Sequence, residues 1–145
     1  PYFVPDDPLV AALQSAAARG VLVQLIIPER NDSRMVSFAC NAFLEELLAA
    51  GVEIYRFRKG LLHTKSVLVD DEIALIGTVN LDRRSLWLNF ESTLLIDDYS
   101  FATMLKGLQQ DYIQQGKRLR LTEWRERSWI QRMLENVFYL FSPLL

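Results

Sequence analysis

His63, Lys65, Asp70, Gly77, Thr78 and Asn80 fall in the order H-x-K-x4-D-x6-G-[ST]-x-N, and His63 is the single histidine of the chain. On an extended segment side chains alternate between faces, so His63 and Lys65, two apart, project on the same side. A nucleophile and a cation then face one ligand. Asp70 lies at an odd spacing from His63, on the opposite face or in the turn beyond, as the polar run Asp70-Asp71-Glu72 suggests. That spacing reads Asp70 as a turn or salt-bridge residue. The apolar run Ile73 to Ile76 is the returning strand, Gly77 at its end lets the backbone approach a ligand closely, and Thr78 and Asn80 share a face where they can bond phosphate oxygens.

These residue types suit phosphodiester chemistry. An imidazole has an ordinary pKa of about 6.5, so it is a competent neutral nucleophile near pH 7, and a phosphohistidine intermediate splits one hard displacement into two easier ones. Lys65 and Asn80 would neutralise charge on the phosphoryl oxygens. The imidazole needs its second nitrogen held by an acceptor, which fixes the tautomer and stabilises the imidazolium. Glu91, at the start of an expected strand Phe90 to Ile96, is the candidate, serving this half of the site or another.

The motif is that of the phospholipase D superfamily. With Tyr2-Phe3-Val4-Pro5, Gly60-Leu61-Leu62, Asp82, Arg84-Ser85, Trp87-Leu88-Asn89-Phe90-Glu91 and the terminal Ser142-Pro143-Leu144-Leu145, the chain resembles the C-terminal half of bacterial cardiolipin synthases nearly end to end. The resemblance implies catalytic roles for His63, Lys65, Asp70 and Glu91, and phosphate binding by Lys65, Thr78 and Asn80. Thr78 replaces the more usual serine and keeps its hydroxyl. It further implies transfer of a phosphatidyl group through a phosphohistidine, giving cardiolipin and glycerol from two phosphatidylglycerols. Neither a cofactor nor a metal is required by that mechanism. The second such motif would come from a missing N-terminal half or a second copy, and the full-length protein would sit at the bacterial cytoplasmic membrane. The motif alone licenses only phosphodiester transfer or hydrolysis, so another superfamily phosphodiesterase or phosphatidyltransferase, or a non-catalytic phosphate- or lipid-binding half, stays open.

Composition agrees with such a half. A chain of 145 residues, 50% hydrophobic, can bury one real core. It begins at Pro1 without an initiator methionine, and Tyr2 to Val4 resembles the end of a strand, so it reads as a fragment of a longer protein. Cys40 is single and falls in an amphipathic pattern, ordinary for a buried thiol. No Cys/His cluster has metal-ligand spacing. No run reaches the roughly 18 apolar residues of a membrane span. Residues 1–116 carry 10 Lys+Arg against 15 Asp+Glu, a charge of −5, whereas residues 117–145 carry 6 against 3, a charge of +3. The basic tail favours an anionic phospholipid or membrane surface, and the overall acidity argues against nucleic acid as partner.

Periodicity supplies the frame. Asp7-Pro8 starts a helix that Gly20 ends, Val21 to Ile27 is a buried strand, Met35 to Leu48 repeats at helical spacing up to Gly51, and Val52 to Phe57 is a strand again. After the motif hairpin come a polar connection Asp82 to Ser85, the strand Phe90–Ile96 and a helix from Ser100 to Gly116. The expected class is α/β: a mixed β-sheet flanked by helices on both faces, a phospholipase D-like half over residues 1–116, with a C-terminal amphipathic helix in a basic tail over 117–145. In that tail Ile130, Met133, Leu134, Val137, Phe138 and Phe141 form one stripe, with Arg125 and Arg132 opposite and Ser142-Pro143 as a stop. The stripe reads as docked core or as a membrane-interface face.

Overall fold

Asp6 and Ser33 begin the two long N-terminal helices. The computed structural model describes residues 1–139, the side chains at 132 and 136 excepted. After the short strand β1 (Phe3–Val4), the Asp6 carboxylate accepts a hydrogen bond from Leu9 N at 3.0 Å and starts α1 (Asp7–Ala18). After β2 (Gln24–Pro28), the Ser33 hydroxyl accepts from Val36 N at 3.3 Å and starts α2 (Arg34–Ala49). Each such cap contributes about 1 kcal/mol by satisfying an orphan helix N–H. Helix α2 is held by burial: Ala39, Cys40, Phe43, Leu44 and Leu47 lie on one face, and Leu44 and Leu47 are wholly enclosed. Each enclosed leucine is worth roughly 1.5–3 kcal/mol.

The remaining elements are β3 (Glu53–Phe57), β4 (Ser66–Val69), β5 (Ile73–Gly77), β6 (Leu81–Asp82), α3 (Arg83–Trp87), β7 (Thr93–Asp97), α4 (Tyr99–Gln114), β8 (Gly116–Arg118), α5 (Leu121–Arg125) and α6 (Trp129–Tyr139). They form three hydrogen-bonded sheets. In the central one β3 lies between parallel β2 and antiparallel β8. Arg56 on one face reaches Asn41 of α2, and Phe57 on the other meets Tyr112 of α4 edge-on at 5.3 Å. Helices therefore cover both faces, in agreement with the expected α/β class. The second sheet is the antiparallel β4-β5-β7, and the third pairs β1 with β6 in parallel, Phe3 opposite Leu81.

Three elements differ from the sequence expectation. The connection after Asp82 is the short helix α3, capped by Asp82, which accepts from Ser85 N at 2.7 Å. Strand β8 carries no apolar alternation. It is an edge held by backbone pairing and by the 2.7 Å ion pair of Arg118 with Glu53. The tail forms two helices. Trp124 of α5 is buried in the core, the helix stops at Arg125, and Ser128 restarts the chain by accepting from Gln131 N at 3.3 Å. Phe141, the stop Ser142-Pro143 and the side chain of Arg132 lie outside the described residues.

Helix α6 packs on α2 through Glu135 and its aromatic residues. Glu135, 3% exposed, accepts from Asn41 Nδ2 at 3.0 Å and pairs with Arg127 at 3.1 Å. The Arg127 guanidinium lies 3.6 Å over the Trp124 ring, and Phe138 stacks on Phe38 at 5.2 Å. Of the expected apolar stripe, Phe138 packs on the body while Ile130, Met133, Leu134 and Val137 are exposed.

Candidate active site

The motif occupies the segment entering β4 and the loop leaving β5. Leu62 is buried and fixes the approach, so His63 on one side of it and Thr64 on the other side of His63 are exposed while Lys65 is half-buried. Gly77 N donates to Lys65 O at 3.3 Å, which extends the β4–β5 ladder to the motif. Helix α4 supports it from behind: Gln109 Nε2 donates to Ser66 Oγ at 3.2 Å, and the Tyr112 hydroxyl lies 3.4 Å from Thr64 Oγ1.

His63 and Lys65 lie on one side, as their spacing requires. The Lys65 ammonium donates to His63 O at 3.1 Å and stands 3.2 Å from Nδ1 and 3.3 Å from Nε2. Burial pushes the Lys65 pKa below the ordinary lysine value, and the Glu91 carboxylate nearby opposes that shift. Partial desolvation keeps the ammonium's field strong, so an oxyanion arriving there would meet more than a surface charge.

Asn80 follows three residues after the Gly77–Lys65 contact, and its Oδ1 is buried with no hydrogen-bond partner among the described residues. A buried amide without a partner is costly, and a bound polar group beside it would remove that cost. Its position is fixed from behind. Leu81 and Asp82 pair with Phe3 and Val4, buried Asp82 holds Ser85, and Trp87 Nε1 donates to buried Asp6 at 2.7 Å. Asp6 thus serves α1 and α3 at once. Sequence reasoning missed Asp6, Asp82 and Trp87 as positioning residues, although Asp82-Arg83-Arg84-Ser85 is a legible cap signal.

The other expected site residues are placed differently. Asp70 sits in the turn at the far end of the β4–β5 hairpin, exposed, away from the His63–Lys65 end. With φ of 51° at Asp70 and 60° at Asp71, and Glu72 N donating to Val69 O at 3.0 Å, the turn has the positive central angles of type I′. Thr78 is engaged by protein. Its N–H donates to Ser92 O at 2.9 Å and its Oγ1 accepts from Ser92 N at 3.0 Å. Gly77 makes a close approach, but to β7 rather than to a ligand: a Cβ there would lie 2.1 Å from Ser92 O. Glu91 precedes β7 instead of opening it. It accepts from Asn89 at 3.4 Å and makes no hydrogen bond to His63 among the described residues. No group of three or more His, Cys, Asp or Glu among the described residues is disposed to hold a metal ion.

An α/β half with His63, Lys65 and Asn80 on a hairpin and its following loop defines a phospholipase D-like domain. A family model described as the cardiolipin synthase phospholipase D-like domain matches residues 1–112, and the chain belongs to that family. Over all 145 residues it is 58% identical to cardiolipin synthase A of Pectobacterium carotovorum and 58% identical to that of Klebsiella pneumoniae, spanning 30% of the length of each. Among solved structures it resembles a phospholipase D family member, Nuc from Salmonella typhimurium, with TM-score 0.70 and 25% identity over 82% of this chain and 77% of that one. The phosphatidylserine synthase of Haemophilus influenzae gives TM-score 0.77 at 20% identity over 100% of this chain and 40% of that one, a likeness of fold.

Proposed function

We propose that this chain supplies one of two motifs of a phosphatidyltransferase that makes cardiolipin and glycerol from two phosphatidylglycerols. The observation that carries the reading is the exposed His63 imidazole in contact with the part-desolvated Lys65 ammonium. In the first step a neutral imidazole nitrogen attacks phosphorus, the P–N bond forms and the P–O bond to the glycerol headgroup breaks. The departing oxygen takes its proton from the histidine of the second motif. In the second step the hydroxyl of another phosphatidylglycerol gives its proton to that histidine and attacks phosphorus, and the P–N bond breaks. Either histidine can be the nucleophile, the other then serving as acid and base. Lys65 and Asn80 hold the phosphoryl oxygens, and the nearby Glu91 carboxylate favours the charged form of Lys65.

A second motif is needed because one imidazole attacks from one side while the leaving group departs on the other. Its source is another half of the same protein or a second copy. The alternation that puts His63 and Lys65 on one side continues through Val67 and Val69, which with Ile73 and Leu95 leave an apolar sheet face exposed. Such a face beside the motif suits closure by a similar half. The substrate class puts the protein at a membrane, although among the described residues no helix is long and apolar enough to cross one.

The test uses protein containing both motifs and phosphatidylglycerol labelled in its phosphate. His63→Ala should lower glycerol release by several orders of magnitude and remove either the trapped phosphoenzyme or its turnover. Activity within about tenfold of the parent would sink the assignment. Phosphatidic acid in place of cardiolipin, formed by water attacking the phosphatidyl-histidine, would favour a phosphodiesterase, and phosphate binding without turnover a non-catalytic half.

A further inference from the structure

Tyr2 stands beside the proposed phosphate loop. Phe3 of β1 is opposite Leu81 of β6 in a parallel pair, so Tyr2, one residue earlier, falls level with Asn80. The neighbouring Pro1 nitrogen lies within electrostatic reach of both Lys65 and Asp32. The loop that follows β2, residues 29–33, therefore borders the site. Its foot is fixed where Glu29 N donates to Phe57 O at 2.9 Å and Arg58 pairs with Glu29 at 3.2 Å. Its tip is fixed by Asn31, whose Nδ2 donates to Pro1 O at 3.1 Å and whose Oδ1 accepts from Ser33 N at 3.1 Å.

At that tip half-buried Tyr2 holds exposed Asp32. The Tyr2 hydroxyl stands 2.8 Å from each Asp32 oxygen and donates its one proton to the carboxylate. This bond raises the Tyr2 pKa above the ordinary phenol value, so the hydroxyl stays a donor. An ionised carboxylate offers about four acceptor positions, and no other hydrogen bond reaches either oxygen among the described residues. Asp32 is thus held in one orientation with acceptor positions open beside the site.

We infer that Asp32, held by Tyr2, accepts a hydrogen bond from the secondary hydroxyl of the glycerol headgroup and so selects which alcohol takes the phosphatidyl group. This rests on the function proposed above. In that reaction glycerol leaves from the side of phosphorus that the next hydroxyl enters, so one subsite serves both. In each case the carbon beside the reacting one carries a secondary hydroxyl. The phosphate is not the ligand of Asp32, because two anions repel and Lys65 and Asn80 take the phosphoryl oxygens. A cationic headgroup is opposed by the Lys65 ammonium and by exposed Arg30 and Arg34 on either side of Asp32 in the chain. An uncharged polyol is what remains. During transfer the primary hydroxyl oxygen bonds phosphorus, the P–N bond breaks and the proton goes to the histidine of the second motif. Asp32 exchanges no proton and acts on specificity alone.

The experiment gives protein containing both motifs phosphatidylglycerol with an equal mixture of 1,2-propanediol and 1,3-propanediol. One diol is deuterated, so mass spectrometry separates the two phosphatidyl-propanediols. The alcohols are isomers, and only the first carries a hydroxyl beside the reacting primary carbon. After allowance for the two equivalent hydroxyls of the second, the parent should favour 1,2-propanediol about tenfold, the worth of one hydrogen bond to a charged group. Asp32→Ala should bring the ratio to within about twofold of one, and Tyr2→Phe, which frees the carboxylate, should bring it part of the way. Both products form in one mixture, so the ratio does not depend on how much of a variant folds. A merely structural role for the Tyr2–Asp32 bond would slow both products alike and leave the ratio as it was. A parent ratio near one, or an unchanged ratio in Asp32→Ala, would overturn the inference while cardiolipin synthesis stands. Preference for ethanolamine over both diols would overturn it too, since the carboxylate would then be reading a cation. Failure of the parent to form cardiolipin would instead strike the proposed function, and this subsite with it.

Discussion

Replacing Gly77 by alanine puts a methyl group in place of a hydrogen at a point where the backbone of β7 already stands. The new Cβ would lie 2.1 Å from Ser92 O and 2.8 Å from Thr93 Cα, both backbone atoms that no rotamer change can move. To reach about 3 Å the strands must part by about 1 Å, an overpacking strain of roughly 1–3 kcal/mol. Parting also pulls on the Thr78 N to Ser92 O bond at 2.9 Å and the Ser92 N to Thr78 Oγ1 bond at 3.0 Å. Each is worth about 0.5–1.5 kcal/mol, so the total loss is roughly 2–6 kcal/mol. Gly107 is the internal control. It lies in α4 with nothing within 4 Å of an added Cβ, so Gly107→Ala should stabilise by about 0.5–1 kcal/mol. Urea unfolding followed by circular dichroism measures both. Because Ser92 adjoins Glu91, the Gly77 variant should also lose activity in the protein carrying both motifs. A Gly77→Ala midpoint within experimental error of the parent would refute the reasoning, since the close approach would then not exist in solution.

Lys65→Arg keeps the charge but replaces a compact ammonium by a planar fork, and turnover should fall on the order of a hundredfold in steady-state assays. Unchanged turnover would remove Lys65 from the phosphate. Asp70→Asn should leave unfolding within about 0.5 kcal/mol and turnover close to the parent, because asparagine tolerates the same positive φ in an exposed turn; a large kinetic loss in folded protein would bring Asp70 into the site. Burial pushes the Cys40 thiol up to about 12, so near pH 8 only about one thiol in ten thousand is ionised. Iodoacetamide should therefore modify Cys40 in urea and spare it in buffer, and rapid labelling of the folded chain would show that α2 opens.

What the sequence disclosed tracks how locally each feature is determined. His63 and Lys65 were readable because their relation needs only the alternation of an extended backbone, and the turn at Asp70-Asp71 because polar residues of that type tolerate positive φ. The caps at Asp6 and Ser33 are as local, but the first helix was expected to start at Asp7-Pro8, one residue late, and no cap was expected at Ser33. The β8 strand was hidden because Gly116-Lys117-Arg118 has no apolar period; an edge paired on one side needs none. The break between α5 and α6 carries no glycine or proline, and arises because Trp124 is drawn into the core while the next helix is restarted by Ser128. In the site, the engagement of Thr78 by Ser92 and the contact of Gly77 with β7 depend on a strand that arrives later in the chain. The Asp6–Trp87 bond joins residues 81 apart, beyond the reach of any local pattern.

That last separation divides the site in time. The hairpin bearing His63 and Lys65 closes through a three-residue turn, whereas Asn80 is set only when Leu81-Asp82 reaches β1 and Trp87 reaches Asp6. Loop-closure entropy rises by about 0.6 kcal/mol for each doubling of length, so the second closure costs roughly 3 kcal/mol more than the first. Hairpins form in microseconds, and contacts between distant segments follow. During refolding the hairpin end that carries His63 and Lys65 therefore exists before Asn80 is set in place. Recovery of phosphate affinity should be paced by the return of the chain's first strand, and stopped-flow Trp87 fluorescence is the clock that reads it.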